Sequence, residues 1–411
     1  MEIFCTQLGE YYYTFDQNNK VQKNEVFDYS KYDLVKKKYY NNQSNSKGIR
    51  ALYFFVNGYY KEDQLFERYD LTSSVLNTIR NIQRYHNCSI EDYTCIPELL
   101  LQEFAPYYLK LIQNLHQDYG KFFNSVDEEA LKIFDKTTIA LKRLSFRNPL
   151  LLFNKLPQAH KKYIYKIGRF SFLRVNYSNE NSANGLIMSY DRSLSNIAHD
   201  DPIREAISSR FGSKGNILSL DYNAFHPRIV YALAGYNVNY TNDFYTELLN
   251  ELDINIDRET IKIEIFKIIY GNMNPDSFIS KNYSKIVDFD NKVHQELKNF
   301  GFIKTLTGRR RYFLDEENIE TKILNSYIQM MHTDIIGEQL CKLDDFLLDK
   351  KSKLIGLISD NFIIDVFNEE EEIIKEFCKN NLQSSRYLPN CFLKLNFSEG
   401  KSWAQITPIK I

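Results

Sequence analysis

Little in this 411-residue chain points to an extracellular, membrane-bound or zinc-dependent protein. Its six cysteines (Cys5, Cys88, Cys95, Cys341, Cys378, Cys391) contain no Cys-x-x-Cys pair. Neither a disulfide framework nor a zinc site is therefore expected, and the thiols fit a reducing compartment. The seven histidines show no His-Glu-x-x-His or other metal-ligand spacing. No apolar run reaches the ~18–20 residues of a membrane span, and Met1-Glu2-Ile3-Phe4 begins no signal peptide. Repeats and long low-complexity tails are missing too. Net charge is only −1, with 52 basic against 53 acidic side chains. Any surface for a polyanion must then be a local patch rather than a global field. The expectation is an intracellular, cytoplasmic protein with no membrane partner.

What is present is apolar material: 43% of residues are hydrophobic, enough for a large core shared by two or three subdomains. Residues 1–90 read as a small mixed module of unknown role, with strand-like Tyr11–Phe15 and Ala51–Val56 around a polar loop at 41–48. From Glu98 to about Lys142, Leu99, Leu100, Phe104, Tyr108, Leu111, Ile112 and Leu115 recur at helical intervals. Then come a mixed region from Ile167 to Tyr231, a helical insert from Asp243 to Tyr270 and a strand near Ile303. A long helix from about Ile319 to Leu348, a hairpin at Asp360 and a strand segment from Cys391 to Phe397 follow.

Three distant stretches carry chemistry. The apolar run Ile217–Leu220 ends in Asp221, and the runs Leu354–Ile358 and Phe362–Ile364 flank Asp360. Alone, each aspartate is more often a turn or cap residue. As a pair at the tips of adjacent strands, roughly 5 Å apart, they suit shared divalent metals. Arg258, Lys262, Phe266 and Tyr270 are spaced by four and so share one broad helix face. Two cations there would meet phosphates, and the aromatics would meet a base or sugar. An ordinary surface helix with a core stripe of Ile261, Ile265, Ile268 and Ile269 is the competing reading. Arg309, Arg310 and Arg311 beside Tyr312 suit a phosphate backbone but equally a solvated turn. Asn325 and Gln329, one helical turn apart with His332 near that face, suit minor-groove readout or internal hydrogen bonding. Two acids facing two cations and an aromatic is the arrangement that metal-assisted nucleotidyl transfer needs.

In this order the stretches resemble the family A DNA polymerases, the bacterial polymerase I class. Asp221 to Arg228 resembles motif A, D-Y-S-Q-x-E-x-R, and Arg258, Lys262, Phe266, Tyr270 and Gly271 match motif B, R-x3-K-x3-F-x3-Y-G. Ser359-Asp360-Asn361 stands where the family has H-D-E. Gly185–Ile187 through Asp191 to Asn196-Ile197, with Arg204 following, resembles T-G-R-L-S-S-x-D-P-N-L-Q-N-I. Gly308–Tyr312, the Asn325–Ile336 block and Gly400–Trp403 match further family segments. The resemblance spans about Gly168 to Trp403.

It implies an α+β right-hand polymerase fold: an antiparallel palm sheet with helical fingers and thumb, plus the small N-terminal module. The thumb would lie in 91–165, and palm and fingers in 166–411, with fingers at about 236–300. By the same resemblance Asp221, Asp360 and the Tyr222 backbone hold two Mg2+ ions, with Mn2+ as a substitute. Arg258, Lys262, Phe266, Tyr270 and His226 would meet the dNTP. Arg204, Arg228, Arg309, Arg310, Asn325 and Gln329 would support or touch primer–template DNA. Departures are His226 for the sugar-gating glutamate, Leu186 for an arginine, and Ser359 and Asn361 around the second aspartate. The expected activity is primer extension with dNTPs on DNA. Some 90 residues before the thumb are too few for a proofreading exonuclease domain, and no early D-x-E pair suits one. Alternatives are a related single-subunit RNA polymerase or primase and a non-catalytic nucleic-acid-binding relative. Phage or plasmid replication, repair and defence all fit.

Overall fold

The computed structural model describes five strands within residues 3–55, positions 136–137, 139–141, 143–144, 164–167, 170–173, 175–178, 184, 186–190 and 194–198, and residues 200–411 except 254–255, 271–280, 301, 313–318 and 320–321. The first five strands are β1 (Ile3–Leu8), β2 (Tyr11–Phe15), β3 (Val21–Asn24), β4 (Lys37–Tyr39) and β5 (Leu52–Phe55). They form one antiparallel sheet in the order β3-β2-β1-β5-β4. Both strand-like stretches expected in the first 90 residues are strands of this sheet. The helices expected from Glu98 onward lie outside the described residues, apart from a helical stretch within 136–144. There Arg143 reaches Asp344 at 2.7 Å, a buried ion pair.

Two hairpins follow, β6 (Ile164–Ile167) with β7 (Phe170–Leu173) and β8 (Asn176–Ser178) with β9 (Met188–Tyr190). A short helix α1 (Ile203–Ala206) leads into β10 (Gly215–Tyr222) and α2 (Phe225–Leu233). The expected insert is two helices, α3 (Phe244–Leu252) and α4 (Arg258–Tyr270). Asp253 breaks it with a left-handed φ of 49°, and Asp257 restarts it by capping the Thr260 N–H at 2.9 Å. Next come α5 (Ser284–Phe300), the hairpin β11 (Phe302–Lys304) and β12 (Arg310–Tyr312), and α6 (Ile323–Leu347). The chain closes with β13 (Lys353–Ile358), β14 (Asn361–Phe367), α7 (Glu371–Asn381), β15 (Leu395–Gly400) and β16 (Thr407–Ile409). The last strand segment lies further along than Cys391–Phe397 suggests. Cys391 makes only an isolated bridge to Val238, and the ladder to β10 starts at Leu395.

β10 is the middle strand of the second sheet, ordered β13-β14-β10-β15-β16, with every pairing antiparallel. A central strand covered on both faces reads as a continuous apolar run rather than an alternating one. Ile217, Leu218 and Leu220 are indeed all buried. α6 packs against α2, α4 and β13 and is buried almost all round, from Ile323 to Leu347, as befits a core helix. The turn after β15 explains a glycine: a Cβ on Gly400 would lie 2.3 Å from the Gln405 carbonyl oxygen. That close return buries Trp403, with the Arg204 guanidinium stacked 3.8 Å over its ring.

Candidate active site

The site begins where β10 runs out of core. Asp221 is the solvent-exposed position near its end, opposite Asn361 on β14. Ile358 pairs with Asn361, leaving Ser359-Asp360 as a two-residue hairpin loop. Such tight loops require positive φ, and Ser359 adopts 55°. The two acids thus sit on neighbouring strands, and the Tyr222 N–H donates to the Asp360 carbonyl at 3.4 Å. Their spacing is set by the ladder itself. Asn361 bridges the strands: its Oδ1 accepts from the Ser219 hydroxyl at 2.9 Å, and its Nδ2 lies 3.5 Å from Asp221 Oδ1.

Charge accumulates there. Burial, and then the neighbouring Asp221 charge, push the Asp360 carboxyl up to about 6. Asp221, though its side chain reaches solvent, is raised as well, because the protein around the strand tip strips part of its hydration, against the Asn361 hydrogen bond. Among the described residues neither carboxylate has a basic partner. No cluster of three or more His, Cys, Asp or Glu side chains occurs there either. Two uncompensated carboxylates beside a backbone carbonyl form an all-oxygen donor set that suits a hard divalent cation such as Mg2+.

After β10 the chain turns through Ala224, held at φ 50° and ψ 48°. A left-handed non-glycine residue costs roughly 1–2 kcal/mol, and here it aims the first turn of α2 across the sheet tip. His226, on that turn, is hydrogen-bonded through Nδ1 to the Tyr270 hydroxyl. Asp360 lies close enough to Tyr270 to raise its phenol, after burial, to about 12. Motif A, motif B and the Asp360 hairpin therefore meet at one point.

On α4 the two readings of the sequence both hold. Ile261, Ile265, Ile268 and Ile269 are buried, while Arg258 and Tyr270 are exposed and Lys262 and Phe266 half-buried. The Phe266 and Tyr270 rings stack at 5.5 Å and 25°. Arg258 is gripped by Asp243, Nε to Oδ1 at 3.0 Å and Nη2 to Oδ2 at 2.9 Å. It also reaches Glu259 at 2.7 Å, and Lys262 reaches Glu259 at 3.4 Å. Asp243 caps α3 through Thr246 N–H at 3.1 Å and accepts from Asn223 Nδ2 at 2.9 Å.

Two of the four arginines expected to support or touch primer–template DNA, Arg228 and Arg309, lie inside. Arg228 is wholly buried. Its donors go to the carbonyls of Asn223, Tyr240, Phe392 and Asn242 at 2.8–3.1 Å, and to Asn223 Oδ1 at 3.1 Å. Burial pulls it down to about 10, so it stays charged and serves as an internal clamp with no donor left for DNA. Arg309 is buried too, ion-paired with Asp334 at 2.8 Å and hydrogen-bonded to the carbonyls of Asn184 and Met330. Asp334 also accepts from Thr305 and Thr307 at 3.0 and 2.7 Å. Arg204 lies over Trp403, with Nη2 3.4 Å from the Ile197 carbonyl. Gln329 accepts from Asn184, and Asn325 is half-buried one turn before it. The side chain of Arg310, Gly271, Gly185 and Asp191 lie outside what is described.

Three site residues escaped the sequence reading as partners: Asn223, Asp243 and His332. Asp243 opens Asp243-Phe244-Tyr245, an acid just before a helix, which was its signal. His332 had only its helical proximity to Gln329.

Residues 275–405 match the family described as DNA polymerase family A. Over 173 residues the chain is 29% identical to DNA polymerase I of Lactococcus lactis subsp. cremoris, covering 36% of this chain and 20% of that protein. Over 342 residues it is 24% identical to DNA polymerase I of Treponema pallidum, covering 71% and 33%. DNA polymerase theta of Drosophila melanogaster is 26% identical over 147 residues, covering 31% and 7%. The chain thus spans a third or less of the curated relatives it matches. In structure it resembles the POL domain of Pol1 from M. smegmatis, solved in complex with DNA primer-template and dNTP. The TM-score is 0.51 at 16% identity, over 84% of this chain and 66% of that one. That likeness establishes the polymerase fold.

Proposed function

We propose that this chain, which carries a family A polymerase domain, is a DNA-directed DNA polymerase that adds dNTPs to a primer 3′-end by two-metal nucleotidyl transfer, without proofreading. The observation that carries it is the pairing of Asp221 and Asp360 on adjacent strand tips beside Tyr270, the last residue of α4. Asp221, Asp360 and the Tyr222 carbonyl would hold the ions. Two bound Mg2+ would lower the pKa of the primer 3′-hydroxyl and neutralise charge on the triphosphate. Lys262 and Arg258 would engage the phosphates, with Arg258 trading its Asp243 contact for them. The Phe266–Tyr270 stack would present a flat face to the incoming base. His226 and Tyr270, joined by their hydrogen bond, would close the space beside the sugar C2′. Arg228 and Arg309 would hold these pieces rigid from within.

The test is primer extension with dNTPs and NTPs offered side by side. Asp221→Asn and Asp360→Asn should each lower incorporation by about 10³-fold or more while leaving duplex binding largely intact. Full activity in either variant would remove the central claim. Preference for NTPs in the wild-type protein would favour an RNA polymerase reading of the same site.

A further inference from the structure

The contact between His226 and Tyr270 is only the first link of a longer chain of hydrogen bonds. His226 Nε2 lies 2.7 Å from Nδ1 of His332 on α6, and the two rings meet edge to face, 4.7 Å between centroids at 66°. His332 is buried, with Phe225 edge-on against it at 5.1 Å and 82°. The backbone of Ser359, the left-handed residue beside Asp360, lies near the same ring and favours its protonated form. A ring nitrogen facing a carbonyl must donate, because a carbonyl oxygen only accepts.

One proton order satisfies all of these groups at once. Burial pulls His226 down to about 4 and His332 well below the usual imidazole range, so both rings are neutral near pH 7. A neutral imidazole has one donor and one acceptor. With Nδ1 turned to His226, a proton on Nε2 of His332 is the one that the nearby Ser359 backbone can accept, and Nδ1 is then the acceptor. The facing Nε2 of His226 must then carry a proton, and His226 Nδ1 must accept. The Tyr270 hydroxyl is left as the donor at the start of the line. The direction runs Tyr270 to His226 to His332 to Ser359, across three helices and the β13–β14 turn.

The arrangement matters for sugar choice. An unrestrained imidazole at position 226 could turn its N–H toward a ribose 2′-hydroxyl and welcome it with a hydrogen bond. With Nε2–H committed to His332, the ring offers no spare donor and keeps its plane against Tyr270. A 2′-hydroxyl entering there would meet a wall that cannot donate to it. We propose that His332 is a positioning residue for deoxynucleotide selection, holding His226 in one tautomer and one orientation by accepting a hydrogen bond from its Nε2–H. The proposal rests on the polymerase reading above, and its test separates the two.

Three full-length proteins are compared: wild type, His332→Leu, which removes the acceptor but keeps an apolar side chain of similar bulk, and His332→Asn, which restores an acceptor oxygen near the Nδ1 position. The first measurement is the 15N shift pattern of histidine-labelled protein, which reports each ring's tautomer without any catalysis. His226 should be the Nε2–H form in wild type and in His332→Asn, and a mixture of forms in His332→Leu. The second is the ratio of kcat/KM for a dNTP to that for the matching NTP. It should fall by about tenfold in His332→Leu, the factor one hydrogen bond of ordinary strength carries, and recover in His332→Asn. Thermal melting of each variant shows whether the ratio merely follows stability. An Nδ1–H tautomer of His226 in wild type would overturn the proposal. So would an unchanged ratio in a folded His332→Leu protein, or a ratio that tracks melting temperature across the variants. A wild-type protein with the expected tautomers and no incorporation would count against the polymerase reading alone.

Discussion

At position 226 an imidazole stands where the resembling family has a carboxylate, and it still reaches the motif B phenol. His226→Ala should open the space beside C2′ and raise NTP use selectively. Exclusion built on a clash and a desolvated hydroxyl is worth roughly 10²-fold or more. Competing single-nucleotide incorporation measures it, and equal effects on dNTP and NTP would show that His226 is no gate. The contact itself was legible only through the family resemblance, which implies that the position of His226 in motif A faces Tyr270 in motif B. His332 was not: a histidine on an apolar helix gives no sign of which neighbour its nitrogens face. Arg228 and Arg309 misled for a related reason. An arginine in a polyanion-binding family invites a phosphate partner, and only the fold reveals that backbone carbonyls had already claimed its donors.

Among the elements, the pairing of α3 with α4 depends on Asp243. Burial works against its charge, but hydrogen bonds from Arg258, Asn223 and Thr246 outweigh it and hold the carboxyl well below the usual range. A depressed carboxylate lends stability above its unfolded pKa of about 3.9 and loses it as pH falls through the folded value. Asp243→Asn keeps a good cap for α3 but loses the charge. It should cost roughly 1 kcal/mol at neutral pH, the modest figure reflecting a pair that is partly open to solvent. Urea titrations should show that deficit at pH 7 and shrink it well below pH 4; a deficit constant across that range would mean the charge is not its source. Periodicity found α4 and α6 to within a few residues, because their apolar spacing is strong. It missed the break at Asp253, since a single left-handed residue leaves no periodic trace.

For the whole molecule, the order of motifs along the chain carried the fold. Each motif alone was ambiguous, yet the palm sheet brings together Asp221, Asp360 and the Gly400 segment from distant stretches. The small sheet built from residues 3–55 was legible as two of its strands and no more, because its pairing is set by neighbours rather than by pattern. With no nuclease centre in the proposed reading, a labelled primer kept with Mg2+ and no nucleotides should stay full length, and mismatched 3′-ends should persist. Shortening that survives in Asp221→Asn would reveal a second active centre.

The central place of β10 has a consequence for how the protein is made. It emerges from the ribosome well before either strand that flanks it: 140 residues separate Asp221 from Asn361, and β15 comes later still. At about 5–20 residues per second, that first gap alone lasts about 7–28 s. Throughout, an apolar strand with two open edges has no native partner, and it invites pairing with neighbouring nascent chains. Synthesis rate and holdase chaperones should therefore govern the yield of this protein more strongly than its final stability does. Until Gly400 has cleared the exit tunnel, both aspartates are merely two acids on an unfinished chain.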